Sequence, residues 1–463
     1  MLKIWNTLHR QLEVFEPLHA PEVGVYNCGP TVYNPVTLGN WRAYLTVDLL
    51  RRVLLLDGFR VRHVMNVTDV GHLVGDSDDG EDKVEREAAK RGMNAWELAR
   101  FHEGNFLQDM KRVNMLAPTV LCRATEHIEE QIAMVKQLEE KGFTYRISDG
   151  IYFDTSKFAA YGRLSGQRLE EKESGARVTF NEEKKQGSDF ALWKFSPAAE
   201  AGVKRQMEWE SPWGVGFPGW HIECSAMSAK YLGQPFDIHC GGMDLIPVHH
   251  ENEIAQTEAA TDKPLASYWL HNEFLLIDGG RMGKSLGNAY TVDDVIAKGF
   301  EPLAYRFFCF GAHYRSKLNF TWDGLTAAAQ ALKKLRALAR TYAVGPVVDE
   351  PTLTAFQQAL NTDLNVTQAL AIMWDFLKSD ASREVKGATL LKMDEVLGLD
   401  LRDVIGKTIA IPEDVRALAE ARLLVRQQKD WQRSDVLREE LKQKGWLVED
   451  KGDGTYLLEP VGL

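Results

Sequence analysis

The apolar residues change their period several times along the chain, and each change marks an element. VGVYNC (23 to 28) is a short apolar run bounded by turn residues, which predicts a buried strand. CGPTVYNP follows as a turn. LGNWRAYLTVDLLRRVLLLDG repeats its apolar positions at helical spacing and predicts an amphipathic helix stopped at Gly58. RVRHVMNVTDV then returns to extended structure. Strand, glycine-containing turn, helix and strand in this order open an α/β fold with a parallel sheet, in which ligands sit beyond the carboxyl ends of the strands. The turn at Cys28 is therefore the first candidate position.

From Glu81 to Gly142 the pattern is mainly helical, and from Gly150 to Gln186 it is charged and turn-rich, as expected of a surface insertion. Core motifs resume near Asp189, so the inserted connective segment is placed at about 110–220. Between Phe236 and Asn288 short apolar runs alternate with the glycine-rich turns HCGGMD and IDGGRMGKSLGN, again suiting an α/β sheet with functional loops at its edge. Beyond Leu325 the chain reads as nearly all helix. There Asn365, with Gln368 three positions on, forms a capping-box pattern. The last stretch, KDWQRSDVLREELKQKGWLVEDKGDGTYLLE, predicts a charged helix and a β-hairpin. Three units follow: 1–324 as an α/β domain, 325–411 as an α-helical bundle, and 412–463 as a small α+β unit.

Composition narrows the function classes. With 44% hydrophobic and 26% charged residues this is an ordinary folded chain without low-complexity tracts. No stretch reaches the roughly 18 consecutive apolar residues of a membrane span, and MLKIWNTLHRQLEVFEP lacks the apolar core of a secretory signal. A cytoplasmic protein without membrane contact is expected. Five scattered cysteines, Cys28, Cys122, Cys224, Cys240 and Cys309, do not suit a disulfide framework and leave metal binding or burial to explain them. A net charge of −11 repels polyanions, so nucleic-acid contact would require local patches. Lys333, Lys334, Arg336 and Arg340 are one candidate patch and equally a solvated helix face.

Three short segments could carry chemistry. In HHENE, His249 and Glu253 are four apart and share one helix face, so two ligands could address one metal. Thiolates from Cys28 and Cys224 would complete a four-coordinate zinc site, with Zn–S bonds of about 2.3 Å. The same residues also read as a polar helix start and two core cysteines. GGRMGKSLGN frees the backbone and offers Lys284 to phosphate oxygens, or is simply a surface turn. TLGN (37 to 40) lies where turn meets helix, where amides and the helix dipole could receive a phosphate. Cys122, Cys240 and Cys309 have no evident partners and read as core or surface thiols.

CGPTVY, TLGN, GWHIECSAM, HHENEIAQ and GGRMGKSLGN occur in this order, together with SKFAAYGRLSG, DFALWK, SPWG and the terminal KDWQRSDVLREEL. Over nearly its whole length the chain closely resembles the cysteinyl-tRNA synthetases, class I aminoacyl-tRNA synthetases. The resemblance implies a Rossmann-like catalytic domain and a cysteine–tRNA ligase activity, with ATP, cysteine and tRNA(Cys) as substrates. It implies one zinc ion held by Cys28, Cys224, His249 and Glu253, magnesium with ATP, and a monomer. TLGN stands where class I enzymes have HIGH, and GGRMGKS where they have KMSKS. Thr37, Leu38, Gly39, Asn40, Asp244, Arg281, Met282, Gly283, Lys284 and Ser285 would then surround ATP, with Thr37, Asn40 and Lys284 in catalysis. Thr68, Trp220 and His239 would lie near the cysteine. The terminal unit would read the anticodon, using Trp431 or Trp446. No segment is long enough to be an obvious editing domain.

Five positions depart from these signatures, the family itself often sharing the one at Asn40. Thr37 replaces the first histidine of HIGH, and Asn40 the last. In the lysine loop Arg281 and Gly283 replace a lysine and a serine. IPVHH shifts the proline of the common FPHH by one position. Two other readings compete: a ligase joining cysteine to an amino sugar, which would lack much of the C-terminal region, and a non-catalytic tRNA-binding relative.

Overall fold

The apolar runs of the first 272 residues assemble into one parallel sheet: β1 (Glu22–Asn27), β2 (Arg60–Val67), β3 (Val120–Arg123), β4 (Phe236–Gly242) and β5 (Ala266–Asn272). The computed structural model describes residues 1–70, 83–166, 182–196, 205–283, 286–407, 410–451 and 455–460. Spatial order is β5-β4-β1-β2-β3, every pair parallel. Strand order reverses between β1 and β4, which opens the crevice expected to bind ligands.

Both faces of the sheet are covered, as a parallel sheet requires. Helix α1 (Leu38–Leu56) packs Val47, Leu50, Val53 and Leu54 against Val23, Val25, Ile238 and Leu270. On the other face α2 (Trp220–Leu232) and α3 (Glu251–Thr261) bring Met227 and Ile254 against Tyr26, Val64 and Trp269. The helix predicted to stop at Gly58 ends at Leu56, and Gly58 takes φ +88°, which a glycine adopts without steric cost.

Between β3 and α2 lies a four-stranded antiparallel sheet of Thr144–Ile147, Gly150–Phe153, Phe190–Phe195 and Gly216–Pro218. Two expectations change here. Val120–Arg123, placed by pattern in a helical stretch and at the start of the insertion, is the edge strand of the central sheet. Gly150–Phe153, expected as exposed turn, is a buried strand whose Phe153 stacks on Phe190 at 5.0 Å. The charged residues 167–181 that coloured that reading lie outside the described residues.

Helices Trp322–Arg340, Glu350–Leu360, Val366–Lys378 and Arg383–Leu397 form the predicted bundle, the first beginning three residues ahead of the expected boundary. Asn365 accepts from the Gln368 amide at 3.0 Å, the Asn365 half of the expected capping box. Arg336 does not belong to an open basic face: it is buried, bonded to Glu301 at 2.6 and 2.7 Å and to the Leu399 carbonyl. A second buried cluster joins bundle to sheet. Asp48 of α1 binds Arg52 at 2.8 Å and Arg306 at 2.6 Å, and those arginines reach the carbonyls of Glu395 and Leu397.

The terminal unit is two helices, Glu413–Gln427 and Trp431–Gln443, and the predicted hairpin, Trp446–Asp450 with Tyr456–Pro460. Trp446 is buried in its core with Val415 and Leu441, whereas Trp431 is 54% exposed. Of the two tryptophans expected to face a ligand, only Trp431 is available. Among the described residues no helix is long and apolar enough to cross a membrane.

Candidate active site and metal centre

A cleft of about 650 Å³ opens at the crevice between β1 and β4. Cys28 enters it directly after β1, Cys224 from α2, and His249 from the turn ahead of α3. That turn, Ile246–His250, is π-helical, with Pro247 at its start where no amide is needed, so the shifted proline is accommodated. Glu253 does not line the cleft; it is fully buried and reaches the group from behind. Sγ of Cys28 lies 3.7 Å from Sγ of Cys224 and 3.6 Å from Oε1 of Glu253, and Nε2 of His249 lies 3.1 Å from that oxygen. All four donor atoms fall within 4.8 Å of one another.

The glycines ahead of this turn are there for space. A Cβ on Gly241 would meet the His250 ring at 2.5 Å, and one on Gly242 would meet Asp244 at 2.2 Å. A Cβ on Gly29 would come within 1.7 Å of the Asn66 carbonyl, so only glycine lets the Cys28 turn pass the end of β2.

Electrostatics make the group receptive to a cation. Burial pushes the Glu253 carboxyl up, but His239 and His249 outweigh it and hold the pKa at about 2. Burial likewise opposes the charge on His249, yet Glu253 and Cys224 raise it to about 10. Cys224 is held down to about 6 against burial, by its contact with Cys28 and by His249. Cys28 is pushed well up by burial and by its neighbour Cys224. Two sulfurs, an imidazole and a carboxylate, one sulfur already close to its anionic form, are a zinc donor set.

A second group, Cys28, His239, His250 and Glu253, is equally tight. It is the poorer candidate. His239 and His250 are fully buried away from the cleft, and a catalytic zinc needs one side open to its substrate. His239 is therefore corrected from a cysteine contact to a support: its Nε2 bonds Oε2 of Glu253 at 2.9 Å. His250 bonds His271 at 2.7 Å, and His271 bonds Thr7 at 2.8 Å. Burial keeps both rings neutral, His271 at about 3.

Of the other expected site residues, Thr37, Gly39, Asn40, Thr68, Trp220, Asp244, Arg281 and Met282 line the cleft. Trp220 packs on the His249 ring at 4.5 Å, and the Thr68 hydroxyl donates to Glu223 at 2.8 Å. Thr37 caps α1, its hydroxyl donating to Oδ1 of Asn40 at 2.7 Å. Leu38 is corrected: its side chain is fully buried and its amide donates to the Tyr290 carbonyl at 2.8 Å, so it packs rather than binds. Gly283 does not line the cleft, and its amide donates to Asn288 at 2.8 Å. Lys284 and Ser285 lie outside the described residues. Cys122, Cys240 and Cys309 are buried core thiols.

Residues 14–330 match the family described as tRNA synthetases class I (C) catalytic domain, and residues 408–457 match the cysteinyl-tRNA ligase anticodon binding domain. Cysteine–tRNA ligase 1 of Burkholderia lata is 49% identical over 457 residues, covering 98% of this chain and 96% of that protein. The chain belongs to the cysteine–tRNA ligase family. The cysteine–tRNA ligase of Thermus thermophilus is 40% identical, with 98% of each chain covered. The fold is also that of a Mycobacterium tuberculosis methionyl-tRNA synthetase, at TM-score 0.53 and 15% identity over 82% of this chain and 90% of the other. An Agrobacterium radiobacter LeuRS in complex with tRNA gives TM-score 0.58 at 11% identity over 84% and 85%.

Within this cysteine–tRNA ligase family fold, sequence reasoning passed over the supporting shell of His221, His250 and His271. His221 bonds His249 at 2.9 Å. GWHIEC and HHENE, both already singled out, contain two of the three; the four-residue spacing to Glu253 marked His249 as a ligand but gave His221 and His250 no role. Lys317, which also lines the cleft, was missed as well.

Proposed function

We propose that the chain activates cysteine with ATP, giving cysteinyl adenylate and pyrophosphate, and transfers the cysteinyl group to the 3′-terminal ribose of tRNA(Cys). The observation that supports this best is the convergence of Cys28, Cys224 and His249 on the cleft with Glu253 directly behind them. These four would hold a zinc ion, with His239 and His221 orienting Glu253 and His249 from behind. Zinc, when bound, supplies affinity for a sulfur anion and eases loss of the thiol proton, which serine's hydroxyl matches poorly. That selectivity makes a separate editing site unnecessary.

Trp220 and Thr68 close the cysteine end of the cleft. At the other end the amides that open α1, beyond the Thr37 cap, favour a phosphate, and Asp244 accepts from the ribose hydroxyls. The cysteine carboxylate attacks the α-phosphorus in line. The bond to the bridging oxygen breaks, and its electron pair leaves with pyrophosphate, whose charge Arg281 and Lys284 counter; magnesium entering with ATP would supply further positive charge there. The enzyme is proposed to act as a cytoplasmic monomer, with units 1–324, 325–411 and 412–463. The C-terminal match disfavours the amino-sugar ligase.

Labelled cysteine incubated with the purified protein, ATP, magnesium and total tRNA tests this, with labelled serine as control. Cysteine-specific charging is expected; no charging, or equal serine charging, refutes it. Lys284→Ala is expected to slow single-turnover adenylation by about 10²-fold without lowering zinc content. Trp431→Ala is expected to weaken charging several-fold while cysteine-dependent pyrophosphate exchange stays at the parent rate, because a stacked base is worth about 1–3 kcal/mol.

A further inference from the structure

Lys317 is an unused cation in a fixed place. It lines the cleft with Arg281 and Met282, and among the described residues its ammonium makes no hydrogen bond or ion pair. Its backbone, by contrast, is tied down from two sides. In the preceding HYRS segment, His313 bonds the Asp363 carbonyl at 2.7 Å, Tyr314 donates to the Asp363 carboxylate at 2.6 Å, and Arg315 donates to it at 2.7 Å. Arg42, buried in α1 just beyond TLGN, donates to the carbonyls of Phe274, His313 and Ser316.

The following residues, Leu318–Phe320, pair with Leu275–Ile277, whose other edge pairs with Gly280–Arg281. Arg281 and Lys317 thus flank a single strand, offset by two residues along it, with their backbones about 12 Å apart. Arg281 likewise makes no ion pair among the described residues. At the start of α1 the side chains of Thr37 to Asn40 are neutral and add no positive charge, and Thr37 is in addition engaged with Asn40. Among the described residues the cleft therefore presents two unpaired cations, Lys317 on a firmly tied backbone and Arg281 on the neighbouring edge strand, far enough apart to address an extended anion rather than a single carboxylate.

We propose that Lys317 contacts the β- and γ-phosphates of ATP and so supplies, from outside both signature loops, charge that TLGN lacks. This rests on the activity proposed above. A solvated surface lysine would leave nucleotide binding indifferent to its removal; a phosphate contact would not.

The test uses the full-length protein, its Lys317→Gln and Lys317→Arg variants, and direct equilibrium binding of ATP, pyrophosphate and AMP alongside cysteine-dependent pyrophosphate exchange. Lys317→Gln is expected to weaken ATP and pyrophosphate by about tenfold or more, as loss of a charged hydrogen bond does. AMP binding, cysteine KM and zinc content should not move, and Lys317→Arg should recover most of the loss. Unchanged ATP and pyrophosphate binding overturns the proposal. So does equal weakening of AMP, which would mark a structural role, or a defect confined to transfer, which would mark a contact with tRNA. If the parent binds ATP but shows no cysteine-dependent exchange, the proposed activity fails while the Lys317 comparison still reads out.

Discussion

Cys224→Ser is expected to lose most of the bound zinc and to raise the cysteine KM in pyrophosphate exchange, leaving the ATP KM close to the parent value. Loss of an outer partner of a metal ligand costs about 10–100-fold in metal affinity or activity, and loss of the ligand itself should cost more. Serine is nearly isosteric, so the fold is kept, but its hydroxyl does not reach the thiolate state that Cys224 approaches with a pKa of about 6. The split between the two substrates is the informative part. A variant that keeps its zinc and its cysteine KM would place the metal on the second group, which omits Cys224 and uses His239 and His250.

Asp48→Asn is expected to destabilise the protein by about 3–5 kcal/mol, the cost of leaving buried charges without their partner. Arg306 is fully buried and Arg52 nearly so, and both depend on Oδ2 of Asp48. Denaturant unfolding should show the loss directly. The pH dependence gives a second check. Burial raises the Asp48 pKa, but Arg306 and Arg52 prevail and hold it below the ordinary 3.8. A carboxyl with a depressed folded pKa stabilises fully above its unfolded value, and the contribution fades as pH falls through the folded one. The parent should therefore lose stability in acid more steeply than Asp48→Asn, in which this group no longer titrates. Parallel acid profiles would show that Asp48 carries no such linkage.

The convergence of Cys28, Cys224, His249 and Glu253 was expected from the family resemblance, and helical spacing placed His249 and Glu253 on one side, although His249 lies in the π-helical turn ahead of α3. The cleft was legible because a strand, a turn and a helix start define the crevice before any partner is known. Other features were not. VLCR is only four residues long, too short to alternate, and sits between helical stretches, so its place at the sheet edge is decided by pairing with β2. Leu38 looked like part of a binding motif, yet one helical step turns its side chain into the core. His239 was expected beside the cysteine; only the packing of α3 over the sheet shows that it lies behind Glu253 while His249 faces the cleft. Lys317 belongs to no motif, and its position depends on Arg42 and Asp363, more than 45 residues away on either side.

The wide sequence separation within the metal cluster also bears on folding order. Cys28 is 196 residues from Cys224 and 225 from Glu253, so bringing these groups together closes very long loops, at an entropic cost that an unfolded chain has nothing to offset. Only His249 and Glu253 are neighbours in a nascent chain, and two ligands hold a metal weakly. With the proposed zinc site, metal loading is expected to follow assembly of the sheet rather than seed it, so chelation should abolish cysteine activation while leaving the folded scaffold standing. Such behaviour would set this chain apart from small zinc domains, whose folding depends on the ion.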